Sequence, residues 1–142
     1  MAVVELDLEL AQRVLHHCLA EAKTRFGKPV CAAVCDANGL LIAFARADGA
    51  PLRSIALSQQ KAYTAARMGV TTTAFLERLR REDIAIGYFC DALLTALPGG
   101  ALLEDGTPGV IGALGISGLA PAEDQLLAGV GTGFIQLSTQ ST

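Results

Sequence analysis

The run Asp36-Ala37-Asn38-Gly39 restricts the fold of this chain more than any other segment. It stands between two short apolar runs, Val30–Cys35 and Leu40–Ala45. Asn-Gly supplies the positive φ that a tight turn needs, and the Asp36 carboxylate is placed to bond back to the turn amides. The spacing therefore predicts a β-hairpin, whose two strands are antiparallel neighbours. Every other element must be compatible with that sheet.

Upstream of the hairpin, Leu8, Ala11, Leu15, Cys18, Leu19 and Ala22 recur every three or four residues. That period predicts a helix over Asp7–Lys23, capped by Asp7 and stopped by Gly27 and Pro29. Downstream, Ser54–Met68 reads as a second helix ending at Gly69, and Thr71–Arg81 as a short third. Leu93–Leu97 is expected to be a short element entering the sharp turn Pro98-Gly99-Gly100. Gly109–Ser117 reads as a buried strand whose glycines admit close neighbours. Pro121, with Glu123 and Asp124 beside it, opens a last helix that continues through Gln125–Val130. A hairpin without repeated β-α-β alternation gives an α+β fold, an antiparallel sheet flanked by helices. At 142 residues the expectation is a single domain, 1–142.

Composition narrows the function. Hydrophobic residues make up 51% and charged ones 18%, which excludes a disordered chain. With 11 Lys and Arg against 14 Asp and Glu, the net charge is −3, and no basic run exists. Neither nucleic acid nor an anionic membrane surface is an expected partner. No stretch has the roughly 20 apolar residues that a membrane-spanning helix needs. Glu5, Asp7 and Glu9 stand where a secretory signal would be basic. The four cysteines, Cys18, Cys31, Cys35 and Cys90, form no C-x-x-C pair, so no zinc or thioredoxin motif is signalled and a cytoplasmic protein is expected. From Gly106 to the end the only charges are Glu123 and Asp124, and mean hydropathy is +0.43. So little polar surface favours a homo-oligomer.

Few side chains carry chemistry. His16 flanks the apolar stripe of the first helix, and His17 lies on its polar face with Arg13 and Glu21. Either would serve as an axial haem ligand, but adjacent positions point about 100° apart, so the two cannot bind one metal from one side. Cys35, at the turn end of its strand, is a candidate second ligand, although a buried inert thiol is the simpler reading. Arg46, just past a strand end, suits a bidentate grip on a carboxylate. Lys61 and Tyr63 lie in the Ala-rich second helix, and Asp83 closes the only charge cluster, Arg78–Asp83. Gly99 and Gly100 offer bare backbone amides to an anion. No nucleotide-binding loop and no nucleophile elbow is present.

Several segments, in order, resemble the GlcG/HbpS family, a haem-degrading-domain-like group that includes the C-terminal domain of PduO-type proteins. The resembling pieces are Gly27-Lys28-Pro29-Val30 with Val34–Gly39, Arg46–Ala50, Lys61–Ala65, Leu97–Gly100, and Ile111–Gly118 followed by Ala122-Glu123-Asp124. The resemblance implies a profilin- or PAS-like topology, homo-oligomers, and haem or tetrapyrrole binding. In that reading His16 or His17 is the axial ligand, with Cys35 the candidate second and Gly99 and Gly100 assigned to the cofactor. The segment Arg80–Asp91 falls outside the resembling pieces and suits a specialised substrate site. It supports an alternative, a cofactor-free isomerase, lyase or hydrolase for a small carboxylated or carbonyl compound. There Arg46 holds the acid, the Gly99 and Gly100 amides stabilise an oxyanion, and Lys61, Tyr63 or Asp83 moves the proton. A third reading is a non-catalytic assembly subunit.

Overall fold

The structure, a computed structural model, describes residues 5–106 and 109–140. Its elements run α1 (Leu8–Phe26), β1 (Cys31–Asp36), β2 (Leu41–Arg46), α2 (Ser54–Met68), α3 (Thr72–Glu82), a 3₁₀ turn (Ile86–Phe89), β3 (Gly100–Glu104), β4 (Val110–Ser117) and α4 (Pro121–Gln140). Among the described residues the four strands form one sheet in the order β2-β1-β4-β3, and every neighbouring pair is antiparallel. The α+β architecture expected from the sequence is the one observed.

The hairpin forms where Asn-Gly places it. Asp36 Oδ1 accepts the backbone N–H groups of Asn38 and Leu40, at 2.9 and 3.0 Å. Gly39 sits at φ 89°, left-handed backbone that a β-carbon disfavours. Local chemistry also fixes the helix ends. Asp7 Oδ1 accepts from Leu10 N at the start of α1, and Thr71 Oγ1 accepts from Ala74 N at the start of α3.

Alternation along β1 divides the molecule into two layers. Val30, Ala32 and Val34 pack with Ala11, Val14, Leu15 and Cys18 of α1 and with Leu127, Ala128 and Ile135 of α4. Ala33 and Cys35 face the other way, toward Ala62 and Ala65 of α2. A third cluster, Phe75, Leu79 and Leu94 with Tyr63 and Phe89 at its edge, ties α3 and the 3₁₀ segment to α2. Close approach of α2 to the sheet depends on Gly115. A β-carbon there would collide with the Ser58 carbonyl oxygen and stand 2.6 Å from the Ala62 nitrogen.

Two expectations change. The Leu93–Leu97 segment is irregular, with a turn at its start and a bend at its end, and a strand absent from the sequence reading, β3, begins soon after it at Gly100. Its sequence, Gly-Ala-Leu-Leu-Glu, contains no β-branched residue; pairing with β4 makes it a strand. Likewise α4 continues past Val130 to Gln140, through Gly129, Gly131 and Gly133. Burial of Leu127, Ala128 and Ile135 outweighs the weak helix preference of those glycines. Gly131 moreover lies against Leu114 and the Cys18 sulfur, where a side chain would intrude.

These placements separate the roles of two glycines, Gly115 buried and Gly129 exposed. Gly115→Ala should lower stability by about 2–3 kcal/mol, because the neighbouring atoms are backbone and cannot turn aside. Gly129→Ala, with nothing within 4 Å of the added carbon, should raise it by up to about 1 kcal/mol. Urea unfolding of both variants checks the pair, and equal effects would contradict the packing described.

Candidate functional site

The side chain of Lys61 is one of the largest fully enclosed in the protein, with 2% exposed. It projects from α2 beneath the turn that leads into β3. Its Nζ donates to the Ile116 carbonyl oxygen at 2.8 Å and to Asp124 Oδ2 at 3.0 Å. Asp124, equally buried, accepts the Leu119 N–H at 3.0 Å through its other oxygen. Burial pulls the Lys61 amine below its ordinary range and pushes the Asp124 carboxyl above its own; in each case the partner's opposite charge opposes the shift. The pair joins α2, the end of β4 and the first turn of α4.

Gly99 and Gly100 lie directly over this pair, and at both positions an added β-carbon would strike Lys61. Their amides are not directed at an open site. Gly99 N–H donates to Gln125 Oε1 at 2.7 Å, and Gly100 N–H to Thr72 Oγ1 at 2.9 Å. Gln125 Nε2 in turn donates to the Gly100 carbonyl oxygen at 3.0 Å. The expected anion-binding role is corrected accordingly: both donors are consumed inside the fold, so neither is left for an oxyanion or a cofactor. Asp124, Gln125 and Thr72 were not foreseen in this role. Asp124 is visible in the sequence as a helix-start acid within a resembling segment, and no local signal marks the other two.

The remaining candidates lie apart from one another. Arg46, exposed, is opposite Cys31, which is opposite Ser117 of β4. The Arg46 backbone thus stands about two strand spacings, roughly 10 Å, from that of Ser117. Asp83 is an exposed residue capping the C-terminus of α3 at φ 52°. No described contact joins Asp83 to Lys61 or Tyr63. No described contact brings Arg46 to Lys61 or to the Gly99-Gly100 turn. His16 is exposed on α1; His17 is half-buried, its ring stacked on Phe134 with centroids 4.6 Å apart and planes 19° apart. The Arg13 guanidinium lies 5.8 Å from the centroid of the same Phe134 ring. Cys35 is on the α2 side of the sheet, with burial pushing its thiol up to about 12. The sheet thus stands between both histidines and Cys35, which excludes a shared His–Cys ligand pair within one chain.

Tyr63 borders a cleft of about 440 Å³ between α2, the hairpin turn and the segment before β3. Its hydroxyl donates to Asp91 Oδ2 at 2.6 Å, while the Arg67 guanidinium lies 4.9 Å from the ring centroid. A groove of about 470 Å³ on the other side is lined by residues that include Ala20, Lys23, Lys28 and Asp48. Among the described residues no group of three or more His, Cys, Asp or Glu side chains converges as a metal site, and no helix is long and apolar enough to cross a membrane.

Two predictions come from these contacts. Lys61→Met should cost about 3–5 kcal/mol, because it strands a buried carboxylate. Adding Asp124→Asn should recover most of that loss, since the amide oxygen keeps the Leu119 bond without the charge; urea unfolding measures both. The Tyr63–Asp91 bond holds the Asp91 carboxyl below its ordinary range and Tyr63 above its own. A lowered carboxyl stabilises the fold above its ordinary value of about 4 and loses that contribution on acidification through the lowered value. A raised phenol stabilises it below about 10 and loses that contribution as pH rises through the raised value. Tyr63→Phe should therefore return the Asp91 titration, followed by carbon NMR, upward into the usual carboxylate range. An unmoved titration would show that the hydroxyl does not hold the acid.

The family model described as "Haem degrading protein HbpS-like" matches residues 6–132. A search of curated proteins gave no match. Among solved structures, the C-terminal domain PduOC in complex with haem is 28% identical, with TM-score 0.76, covering 92% of this chain and 94% of that one. A double mutant of Streptomyces reticuli HbpS is 24% identical, with TM-score 0.81 and coverage of 95% and 90%. Klebsiella pneumoniae protein ORFY is 24% identical, with TM-score 0.82 and coverage of 95% and 94%. The last two establish likeness of fold. With the family model spanning nearly the whole described length, the chain belongs to the HbpS-like haem-degrading protein family.

Proposed function

We propose that this protein binds haem on the outer face of α1, with the His16 imidazole as iron ligand. The observation that carries the reading is the likeness, over 92% of the chain, to a domain whose structure was solved with haem. The chain's own residues fit the group. His16 is exposed, so its ring nitrogens are open to a metal. His17 is committed elsewhere, stacked on Phe134 and 3.9 Å from Glu21 Oε1. Ala20 and Lys23 follow His16 on one helix face, and both line the groove that also holds Lys28. Seven residues of helix separate His16 from Lys23, about 10 Å, so the lysines offer cations to the propionates at the edge of a porphyrin whose iron sits at His16. When bound, haem supplies a redox-active iron; the protein contributes the ligand, the apolar Ala20 surface and the cations.

A ligand on an open helix face leaves half of the porphyrin uncovered. A second copy of this chain is the natural cover, which agrees with the charge-poor surface and with Leu126 and Leu137 of α4 exposed at 57% and 71%. Haemin titration of the purified protein tests the reading. A saturable Soret shift at one equivalent per chain is expected, lost in His16→Ala and kept in His17→Ala with at most a modest fall in affinity. Retention of the band in the His16→Ala, His17→Ala double variant would overturn the ligand assignment. A featureless titration of the parent protein would overturn haem binding itself.

A further inference from the structure

The cleft beside Tyr63 lies on the side of the sheet opposite the histidines and is not used by the haem reading. It is lined by Cys35, Gly39, Leu41, Ile55, Ala56, Gln59, Gln60, Tyr63 and Leu93. Its volume, about 440 Å³, falls in the range that holds a small organic molecule. Cys35, 2% exposed, forms its floor. Leu41 and Leu93, each 53% exposed, form apolar walls that meet water when nothing is bound.

The polar groups define the ligand further. No lining side chain carries a charge. Burial raises the Cys35 thiol to about 12, so it stays neutral, and Tyr63 is protonated. The nearest charges, Arg67 over the Tyr63 ring and Asp91 on its hydroxyl, are opposite in sign and stand at the edge of the cleft, so the lining as a whole favours a neutral group over an isolated charge. Tyr63 already donates its proton to Asp91, and Gln59 Nε2 donates to the Ile55 carbonyl oxygen at 2.9 Å. What remains from these two is the Tyr63 hydroxyl oxygen as an acceptor, and the amide oxygen and second N–H of Gln59, with the Gln60 amide beside them.

We propose that this cleft is a second ligand site, separate from the haem face, for a neutral and largely apolar small molecule bearing a hydroxyl or amine hydrogen-bond donor. The apolar walls supply affinity, and the Tyr63 oxygen and the Gln59 amide orient the polar group. Preference for a neutral ligand follows from the uncharged lining and from the opposed charges of Arg67 and Asp91 at its edge.

N-phenylnaphthylamine, a neutral arylamine whose fluorescence rises in apolar surroundings, is the probe. Titrated into the full-length protein, it should give a saturable rise at one equivalent per chain. Anilinonaphthalene sulfonate, of similar size but anionic, should bind about tenfold more weakly or not at all. Ala56→Trp places a large ring in the cleft from an exposed position on α2 and should abolish the rise while the circular dichroism spectrum stays unchanged. Should that variant misfold, amide shift changes on the parent protein decide, and they should centre on 39–41, 55–63 and 93. Equal binding of the two probes, binding that survives in folded Ala56→Trp, or shifts centred on α1 would each overturn the proposal. Haemin should bind the Ala56→Trp variant normally. Loss of haemin binding in that variant would make the cleft the haem site, and the separate-site inference would fall while haem binding itself stood.

Discussion

A single buried cation organises this molecule. Lys61 is anchored by two acceptors that come from different parts of the chain, the Ile116 carbonyl at the end of β4 and Asp124 in the first turn of α4. A lysine amine moved out of water is tolerated only where its partners replace the lost hydration, so its position dictates theirs. Asp124 must enter the interior, and the link it makes to Leu119 fixes how the chain turns from β4 into α4. Gly99 and Gly100 are glycines because Lys61 occupies the space a side chain would need. The remaining polar groups of that turn are then satisfied by Thr72 and Gln125. Three helices and two strands thus meet in one hydrogen-bonded cluster, in which each member has a partner.

That cluster engages three of the residues singled out in the sequence, Lys61, Gly99 and Gly100, in bonds within the fold. A lysine in an Ala-rich helix, a Gly-Gly turn and a neighbouring acid are the ingredients of a proton-transfer site. Here the amine, the carboxylate and both amides are bonded to one another and shielded from solvent. A substrate would have to displace those bonds before it met any of them. The same chemistry that would serve an active site serves here to join layers.

The sequence disclosed what depends on neighbours in the chain. Asn38-Gly39 and Asp36 state the hairpin locally, and so do the caps Asp7 and Thr71. What it concealed depends on residues far apart. β3 has no strand character of its own and exists because β4 pairs with it. α4 persists through three glycines because its inner face is buried. Gln125 bonds residues 25 to 53 positions away, and no spacing rule reaches so far. The histidines were visible as types, yet only the structure distinguishes an exposed His16 from a His17 packed on Phe134. The expected pairing of a histidine with Cys35 failed because strand alternation, legible in principle, sends Cys35 to the side opposite α1.

The sheet is therefore a partition as well as a core. On one side α1 presents the exposed His16 and, further along, the groove that holds Lys23 and Lys28. On the other, α2 and the hairpin border a cleft whose lining side chains are uncharged and include the Gln59 and Gln60 amides. One layer of side chains from the same four strands supports each, and β1 contributes to both by turns, Val34 to one face and Cys35 to the other. A change in packing on one face must pass through small, fully buried residues such as Ala32 and Ala33 to reach the second. Such tightly packed strands resist gradual deformation. Occupancy on one side should leave the other geometrically undisturbed, so the two surfaces are free to be tuned independently by substitutions in α1 and α2.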